Sequence, residues 1–256
     1  MEFKIAGKSA LVIGASRGLG RKIALNLAEE GAKVGVIARS QPEIEQLVEV
    51  MGGESQGHWG IIQDLMPTNV PTQIAQDIIS RNFPIDIIIH NLGGTLAIRD
   101  PFCSIEEWQA VWRLNFEIAA EFNRLLIPPM QEQQWGRVIH ISSIAANLSR
   151  GSLPYCTVKA ALNAYTKNLG ATLAADGVTI TAIMPGAIRH KGSHWDKVAQ
   201  DNPQRVADFL EQRLAIKRFA SVDEISDFVV FLCSQQASFF TGAIIPIDGG
   251  SWCASN

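Results

Sequence analysis

Ala10-Leu11-Val12-Ile13-Gly14-Ala15-Ser16-Arg17-Gly18-Leu19-Gly20 is a short apolar run, a glycine-rich turn and the start of a segment, Gly18 to Glu30, whose apolar residues recur at helical spacing. A turn of this kind between a strand and a helix lets backbone N–H groups and the helix N-terminus approach an anion without interference from Cβ atoms. The diphosphate of a dinucleotide is the anion such a turn suits, although the spacing is GxxxGxG and not GxGxxG. The same letters also spell GxSxG around Ser16, the nucleophile elbow of α/β hydrolases. That rival fails on position. Only 13 residues precede Gly14, which leaves no earlier strand and loop to donate an oxyanion N–H.

Working outward, apolar runs at Lys33 to Ala38, His58 to Gln63, Ile85 to His90, Arg137 to Ser142, Val178 to Met184 and Ala243 to Ile247 read as further strands. Helical patterns lie between them at Thr68 to Asn82, Ile105 to Gln133, Tyr155 to Ala175 and Val222 to Ser234. Ser104 and Glu107 form a capping-box pattern before the second of these, and Pro128 and Pro129 are expected to kink or shorten its end. Strands that are apolar throughout suit a parallel sheet covered on both faces. The order predicts a single α/β domain over residues 1–256, doubly wound, with a central, mostly parallel seven-stranded sheet flanked by helices. Residues 187–220 are expected to form a substrate lid, and Ala187 to Gln204 is the least patterned stretch of the chain. Trp195 there is a candidate cover for a substrate, whereas Trp108, Trp112 and Phe116 at helical spacing suit a core or a subunit interface.

Composition narrows the partners. Of 256 residues 47% are hydrophobic and 18% charged, with 22 basic against 25 acidic side chains for a net charge of −3. No basic footprint for nucleic acid is present, and no apolar run is long enough to span a bilayer. Cys103, Cys156, Cys233 and Cys253 show neither a disulfide framework nor zinc spacing, so a reducing cytoplasm is expected. His90, His140, His190 and His194 are scattered without ligand spacing, so no metal is expected and structural or surface roles are favoured.

Two features carry chemistry. At the end of the second strand, where an acid would bind a ribose 2′-OH, the chain has Ala38-Arg39-Ser40, and Arg17 lies inside the glycine turn. Two guanidinium groups suit a 2′-phosphate, so NADP(H) is expected over NAD(H). Tyr155 and Lys159 are one helical turn apart and share a face. A cation at about 4 Å in an effective dielectric near 20 would favour phenolate by roughly 4 kcal/mol, on the order of three pKa units. Tyr155 is then a candidate acid and base for a carbonyl, with Lys159 also free to hold a ribose hydroxyl. Ser142-Ser143 and Asn91-Leu92-Gly93-Gly94 end their strands where open α/β sheets bind ligands.

Gly14 to Gly20, Asp64 after the third strand, Asn91-Leu92-Gly93, Asn115, Ser142-Ser143, Tyr155 with Lys159, Pro185-Gly186, and Thr241-Gly242 to Asp248-Gly249-Gly250 together resemble the short-chain dehydrogenase/reductase family. The resemblance covers essentially the whole chain and is strongest to ketoacyl-reductase-like members. It implies a Rossmann fold and cofactor contacts from Gly14, Ser16, Arg17, Gly18, Leu19, Gly20, Arg39, Asn91 and Gly93, with Asp64 and Leu65 at the adenine. Pro185, Gly186 and Ile188 would lie at the nicotinamide, and Asn115 would hold a water relaying protons through Lys159. The carbonyl-polarising serine is Ser142 counted back from Tyr155 but Ser143 by strand register from Gly136-Arg137. Ser143 is preferred, because a loop absorbs a one-residue deletion more easily than a strand absorbs a slip. Leu92 stands where the family has a small alanine, Arg189-His190 where it commonly has a threonine for the carboxamide, and the loop from serine to tyrosine is short. The activity implied is NADPH-dependent reduction of a ketone to a secondary alcohol, or the reverse, on a small molecule such as a 3-oxoacyl thioester, by a homotetramer or homodimer. The alternative is a non-catalytic dinucleotide-sensing protein.

Overall fold

The computed structural model describes residues 2–81, 83–148 and 151–251. Cys253, the expected helix end Asn82 and residues 149 and 150 of the loop before Tyr155 lie outside them. Seven strands form one sheet: β1 (Ser9–Ile13), β2 (Lys33–Ala38), β3 (Trp59–Ile62), β4 (Ile87–His90), β5 (Gly136–Ile141), β6 (Val178–Pro185) and β7 (Ile244–Ile247). Their order is β3-β2-β1-β4-β5-β6-β7 and every pairing is parallel, where a mostly parallel sheet was expected. Successive β1 residues face opposite cores, Ala10 and Val12 one and Leu11 and Ile13 the other, which is why the strand shows no polar alternation.

The helices are α1 (Gly18–Glu29), α2 (Gln41–Val50), α3 (Val70–Ser80), α4 (Ile105–Trp112), α5 (Ile118–Glu132), α6 (Leu153–Leu173), α7 (His194–Asp201), α8 (Pro203–Arg213) and α9 (Val222–Leu232). α2 is absent from the sequence-based expectations; its buried residues are only Ile44 and Leu47, too few for a clear periodic signal. The expected helix from Ile105 to Gln133 is divided by a π-helical turn at Arg113–Glu117. Its start has the expected capping box, with Glu107 N–H donating to Ser104 Oγ at 3.3 Å and Ser104 N–H to Glu107 Oε2 at 2.9 Å. Pro128 and Pro129 do not shorten it, since α5 runs on to Glu132. Each proline removes one backbone donor near the helix end, and the buried Leu126, Ile127 and Met130 anchor that last turn in the core.

The least patterned stretch is itself largely helical, as α7 and the start of α8. Trp195 is not among the residues that line the main cleft. Its ring centroid lies 4.0 Å from that of Phe209 and 5.1 Å from that of Phe219, so it forms the small aromatic core that joins α7 to α8. Trp112 packs on Phe116 at 4.9 Å and Phe116 on Tyr165 at 5.3 Å, in keeping with the packing role expected of those rings.

Strand order reverses between β1 and β4, so α1 leaves β1 on one side and the chain after β4 leaves on the other, opening a crevice at the strands' C-terminal ends. α6 borders it and docks closely on the segment before β7. A Cβ on Gly170 would lie 2.5 Å from Gly242 N and 2.8 Å from its Cα. In an exposed helix Gly→Ala stabilises by about 1 kcal/mol, but here crowding reverses the sign. Gly170→Ala is expected to destabilise the protein by about 1–3 kcal/mol, read as a lowered denaturant midpoint.

Candidate active site

The glycine turn is built around one close approach. Gly14 (φ +91°) and Gly18 (φ +58°) adopt backbone conformations that side chains disfavour. A Cβ on Gly20 would sit 2.3 Å from the Gly14 carbonyl oxygen and 2.5 Å from Asn91 Nδ2, which donates to that same oxygen at 2.8 Å. α1 then begins without any side-chain cap on its first N–H groups, leaving them and the helix dipole free for an anion.

Above this turn lies a cleft of about 860 Å³ lined by Gly14, Ser16, Arg17 and Leu19 from the first turn, Arg39 and Asp64-Leu65 from the next two strand ends, and Asn91 and Gly93 from β4. Nine of the residues expected at a dinucleotide therefore converge. Gly18 and Gly20 lie in the floor beneath, whereas Pro185 is buried at the end of β6, Gly186 borders a separate small cavity and Ile188 bridges to Ala220. Leu92, the unusual residue here, leans over Gly14, where a Cβ would meet its Cδ2 at 3.0 Å, and packs into the core below.

Gly93 joins this cleft to the acid–base group. A Cβ there would meet Asn115 Oδ1 at 2.9 Å and Lys159 Nζ at 3.0 Å, so both side chains face the glycine. Asn115 lies in the π turn, donating to Val111 O at 2.8 Å and Gly94 O at 2.9 Å and accepting from Gly94 N–H at 3.0 Å. Lys159 is 1% exposed and donates to Ile141 O at 2.8 Å, with its Nζ 5.7 Å from the centroid of the Tyr155 ring. The phenol of Tyr155 is hydrogen-bonded to Ser143, while Ser142, buried, turns its hydroxyl to the Lys159 carbonyl at 3.4 Å.

The electrostatics correct one expectation. Burial raises the Tyr155 pKa above its ordinary 10, opposed by the Ser143 hydroxyl. Burial also brings Lys159 down to about 7. An ammonium enclosed this fully loses more hydration than one carbonyl restores, which is why its pKa falls.

Two residues beside the cleft make contacts that the sequence does not signal. Arg113 is 7% exposed and donates from Nε to Met66 O at 3.1 Å and from Nη2 to Leu65 O at 3.2 Å and Pro67 O at 3.0 Å, besides pairing with Glu121. It fixes the segment that follows Asp64; nothing distinguishes it in sequence from any arginine of a helical pattern. His190 faces Gly18, where a Cβ would lie 2.6 Å from its Nε2, while Arg189 turns outward to Asp196 at 3.4 Å.

Beneath the site His90 and His140, paired in register on β4 and β5, form a buried relay: His90 Nε2 lies 2.8 Å from Asn123 Oδ1, Asn123 Nδ2 3.2 Å from His140 Nε2, and His140 Nδ1 2.7 Å from Thr166 Oγ1. His194 lines the cleft. Among the described residues no three His, Cys, Asp or Glu side chains cluster as metal ligands, and no helix is long and apolar enough to cross a membrane.

A parallel doubly wound sheet with a glycine turn and a Ser-Tyr-Lys-Asn group defines a nucleotide-dependent oxidoreductase fold, and comparison with known proteins agrees. A family model described as Enoyl-(Acyl carrier protein) reductase matches residues 14–251. A 3-oxoacyl-(acyl-carrier-protein) reductase of Aquifex aeolicus is 31% identical over 98% of this chain and 99% of its own. Dehydrogenase/reductase SDR family member 4 of Mus musculus is 29% identical over 96% of this chain and 88% of its own. L-sorbose reductase from Gluconobacter frateurii, solved with NADPH and L-sorbose, superposes with a TM-score of 0.89 at 28% identity, each chain covered to 98%. The chain belongs to the short-chain dehydrogenase/reductase family. It is an oxidoreductase acting on a carbonyl–alcohol pair, and the non-catalytic sensor is set aside.

The buried relay has a measurable consequence. Burial lowers the His90 pKa from 6.5 to about 4, against the opposing Asn123 hydrogen bond. Burial, then the charges of His90 and Lys159, hold His140 well below its usual range. Between pH 6.5 and about 4 the unfolded chain takes up protons that the native state refuses, so stability falls with pH across that window. His90 alone accounts for about 3 kcal/mol by its depressed pKa. Urea midpoints are expected to fall over this window, and His90→Gln to flatten the slope.

Proposed function

We propose that this enzyme reduces a ketone to a secondary alcohol, and runs the reverse, with NADP(H) preferred over NAD(H). The single observation that carries the acid–base reading is the buried Lys159 amine, held by the Ile141 carbonyl at 2.8 Å with its Nζ 5.7 Å from the centroid of the Tyr155 ring one helical turn away. Arg17 and Arg39 support NADP(H): both are exposed guanidinium groups lining the cleft at its ribose end, with Ala38-Arg39-Ser40 offering no acid for a 2′-OH. The positive-φ glycines and the uncapped start of α1 fit a diphosphate. When bound, the reduced nicotinamide supplies the hydride.

The chain's own groups then handle the proton. Ser143 donates a hydrogen bond to the substrate carbonyl oxygen and polarises it. Tyr155, kept as a neutral phenol by burial, donates its proton to that oxygen as the carbonyl carbon is reduced, and recovers it in the alcohol direction. Lys159, balanced near pH 7, resupplies the proton and holds a cofactor ribose hydroxyl, and Asn115 anchors the π turn beside it. Pro185, Gly186 and Ile188 would lie near the nicotinamide once the coenzyme binds, and residues 187–220 would serve as a lid over the substrate.

The neighbours also support a small ketone. One is an L-sorbose reductase complexed with NADPH and L-sorbose, and another, a gluconate 5-dehydrogenase of Burkholderia cenocepacia with NADP and tartrate, has a TM-score of 0.87 at 25% identity and 98% coverage of each chain. A 3-oxoacyl thioester is the other substrate class, supported by the acyl-carrier-protein reductase relatives. We further propose a cytoplasmic homotetramer or homodimer formed partly through α4, α5 and α6.

Absorbance assays with both coenzymes, a keto-sugar and a 3-oxoacyl thioester are expected to give turnover with NADPH preferred; preference for NADH refutes the arginine reading. Ser143→Ala is expected to lower kcat by about a hundredfold or more with little change in coenzyme KM. Ser142→Ala is expected to leave turnover within about tenfold of wild type, because its hydroxyl serves the main chain of α6. The reverse ranking would assign the polarising role to Ser142.

A further inference from the structure

Between β3 and α3 the chain runs through residues 63–69 without regular secondary structure, and Asp64, Leu65 and Met66 of this segment line the main cleft. Such a segment has no ladder or helix to hold its carbonyl groups. One distant side chain holds them. The Arg113 guanidinium donates to Leu65 O at 3.2 Å, Met66 O at 3.1 Å and Pro67 O at 3.0 Å, three successive carbonyls that lie 46 to 48 positions away in the chain. Within the segment, Met66 N–H donates to Asp64 Oδ1 at 3.2 Å and closes a short turn.

Burial makes this a clamp and not a surface contact. Arg113 is 7% exposed, and its charge is compensated by Glu121, with which it pairs, and by Glu117 Oε2 at 3.6 Å. Glu121 also accepts from Thr72 Oγ1 at 3.3 Å, in the first turn of α3, so the guanidinium and its partner reach both the segment and the helix that follows it. A planar fork of five donors can serve three carbonyls and a carboxylate at once; a single ammonium cannot. Without the fork these carbonyls lose their partners and turn to water, which releases one wall of the cleft.

The same π turn carries Asn115, turned to a different side of the helix and held by three hydrogen bonds of its own to Gly94 and Val111. Loss of the guanidinium leaves that side chain anchored. Arg113 itself is not among the residues that line the cleft. We propose that Arg113 is a positioning residue for the coenzyme: by binding three carbonyls it sets the backbone of residues 65–67 against the adenosine end of the dinucleotide, and it adds to affinity through that segment without touching the ligand. This rests on the reading above that the cleft holds a dinucleotide with its adenine at Asp64 and Leu65.

The test is calorimetric titration of the whole chain with NADPH and with adenosine 2′,5′-bisphosphate, for the wild type, Arg113→Met and Arg113→Lys, with hydrogen exchange followed peptide by peptide. Arg113→Met is expected to bind both ligands at least about tenfold more weakly and by the same factor, since the loss lies at the adenosine end they share. Exchange in the unliganded variant is expected to quicken over residues 63–69 and to stay unchanged in β4, β5 and α6. Arg113→Lys keeps the charge but not the fork, and is expected to fall between wild type and Arg113→Met. Where Arg113→Met does not fold, Arg113→Lys decides by the same readouts. Unaltered affinities, a loss for NADPH that the bisphosphate does not share, full affinity in Arg113→Lys, or faster exchange across the whole sheet would overturn the proposal and leave the dinucleotide reading standing. So would a wild type that binds NADPH but not the bisphosphate. Failure of the wild type to bind NADPH would overturn both.

Discussion

Everything at the top of the sheet depends on how closely three pieces of backbone meet where β1 and β4 part. The Gly14 carbonyl, the face of Gly20 and the amide of Asn91 occupy one small volume, in which a single methyl group would lie 2.3 Å from the carbonyl oxygen. With that approach allowed, α1 starts immediately beyond the strand end with its first N–H groups unspent, and Asn91 ties β4 to the turn by a bond of 2.8 Å. The dinucleotide diphosphate proposed for this turn would be met by backbone groups, so its binding would depend on what side chains are absent. The same logic recurs at Gly93, which brings Asn115 and Lys159 to the edge of the same cleft.

The second constraint is the burial of an amine. Lys159 is enclosed between α6 and β5 with the Ile141 carbonyl as its hydrogen-bond acceptor, and the cost of dehydrating its charge brings its pKa to about 7. Tyr155 moves the opposite way and stays a phenol. The pair is thus poised by low polarity more than by mutual attraction. The relay of His90, Asn123, His140 and Thr166 beneath satisfies its own polar groups, which keeps a polar layer inside an otherwise apolar core and adds no competing cation.

Strand positions, the all-apolar character of the sheet and the glycine turn were legible in the sequence, because each rests on local periodicity or on a residue type with one conformational use. So was the candidate group of Ser143, Tyr155 and Lys159, since helix pitch alone puts the last two on one face. The division of the long helix at Arg113–Glu117 was not, because hydrophobic spacing through a π turn differs from α spacing by a single residue. Nor was α2, with two buried residues. The packing of Trp195 against Phe209 and Phe219 was not legible either, because those rings are distant from it in the chain.

The sequence by itself determined the α/β order, the position of the glycine turn and the placing of Tyr155 and Lys159 on one helix face, all consequences of interactions within about one helical turn or one strand. Only tertiary structure decided that the Ser142 hydroxyl turns to the Lys159 carbonyl, that burial lowers the Lys159 pKa to about 7, and that His190 lies on Gly18. Those outcomes turn on burial and on contacts between residues far apart in the chain. Dehydration and close packing act through space, and neither leaves a periodic trace in the order of the residues.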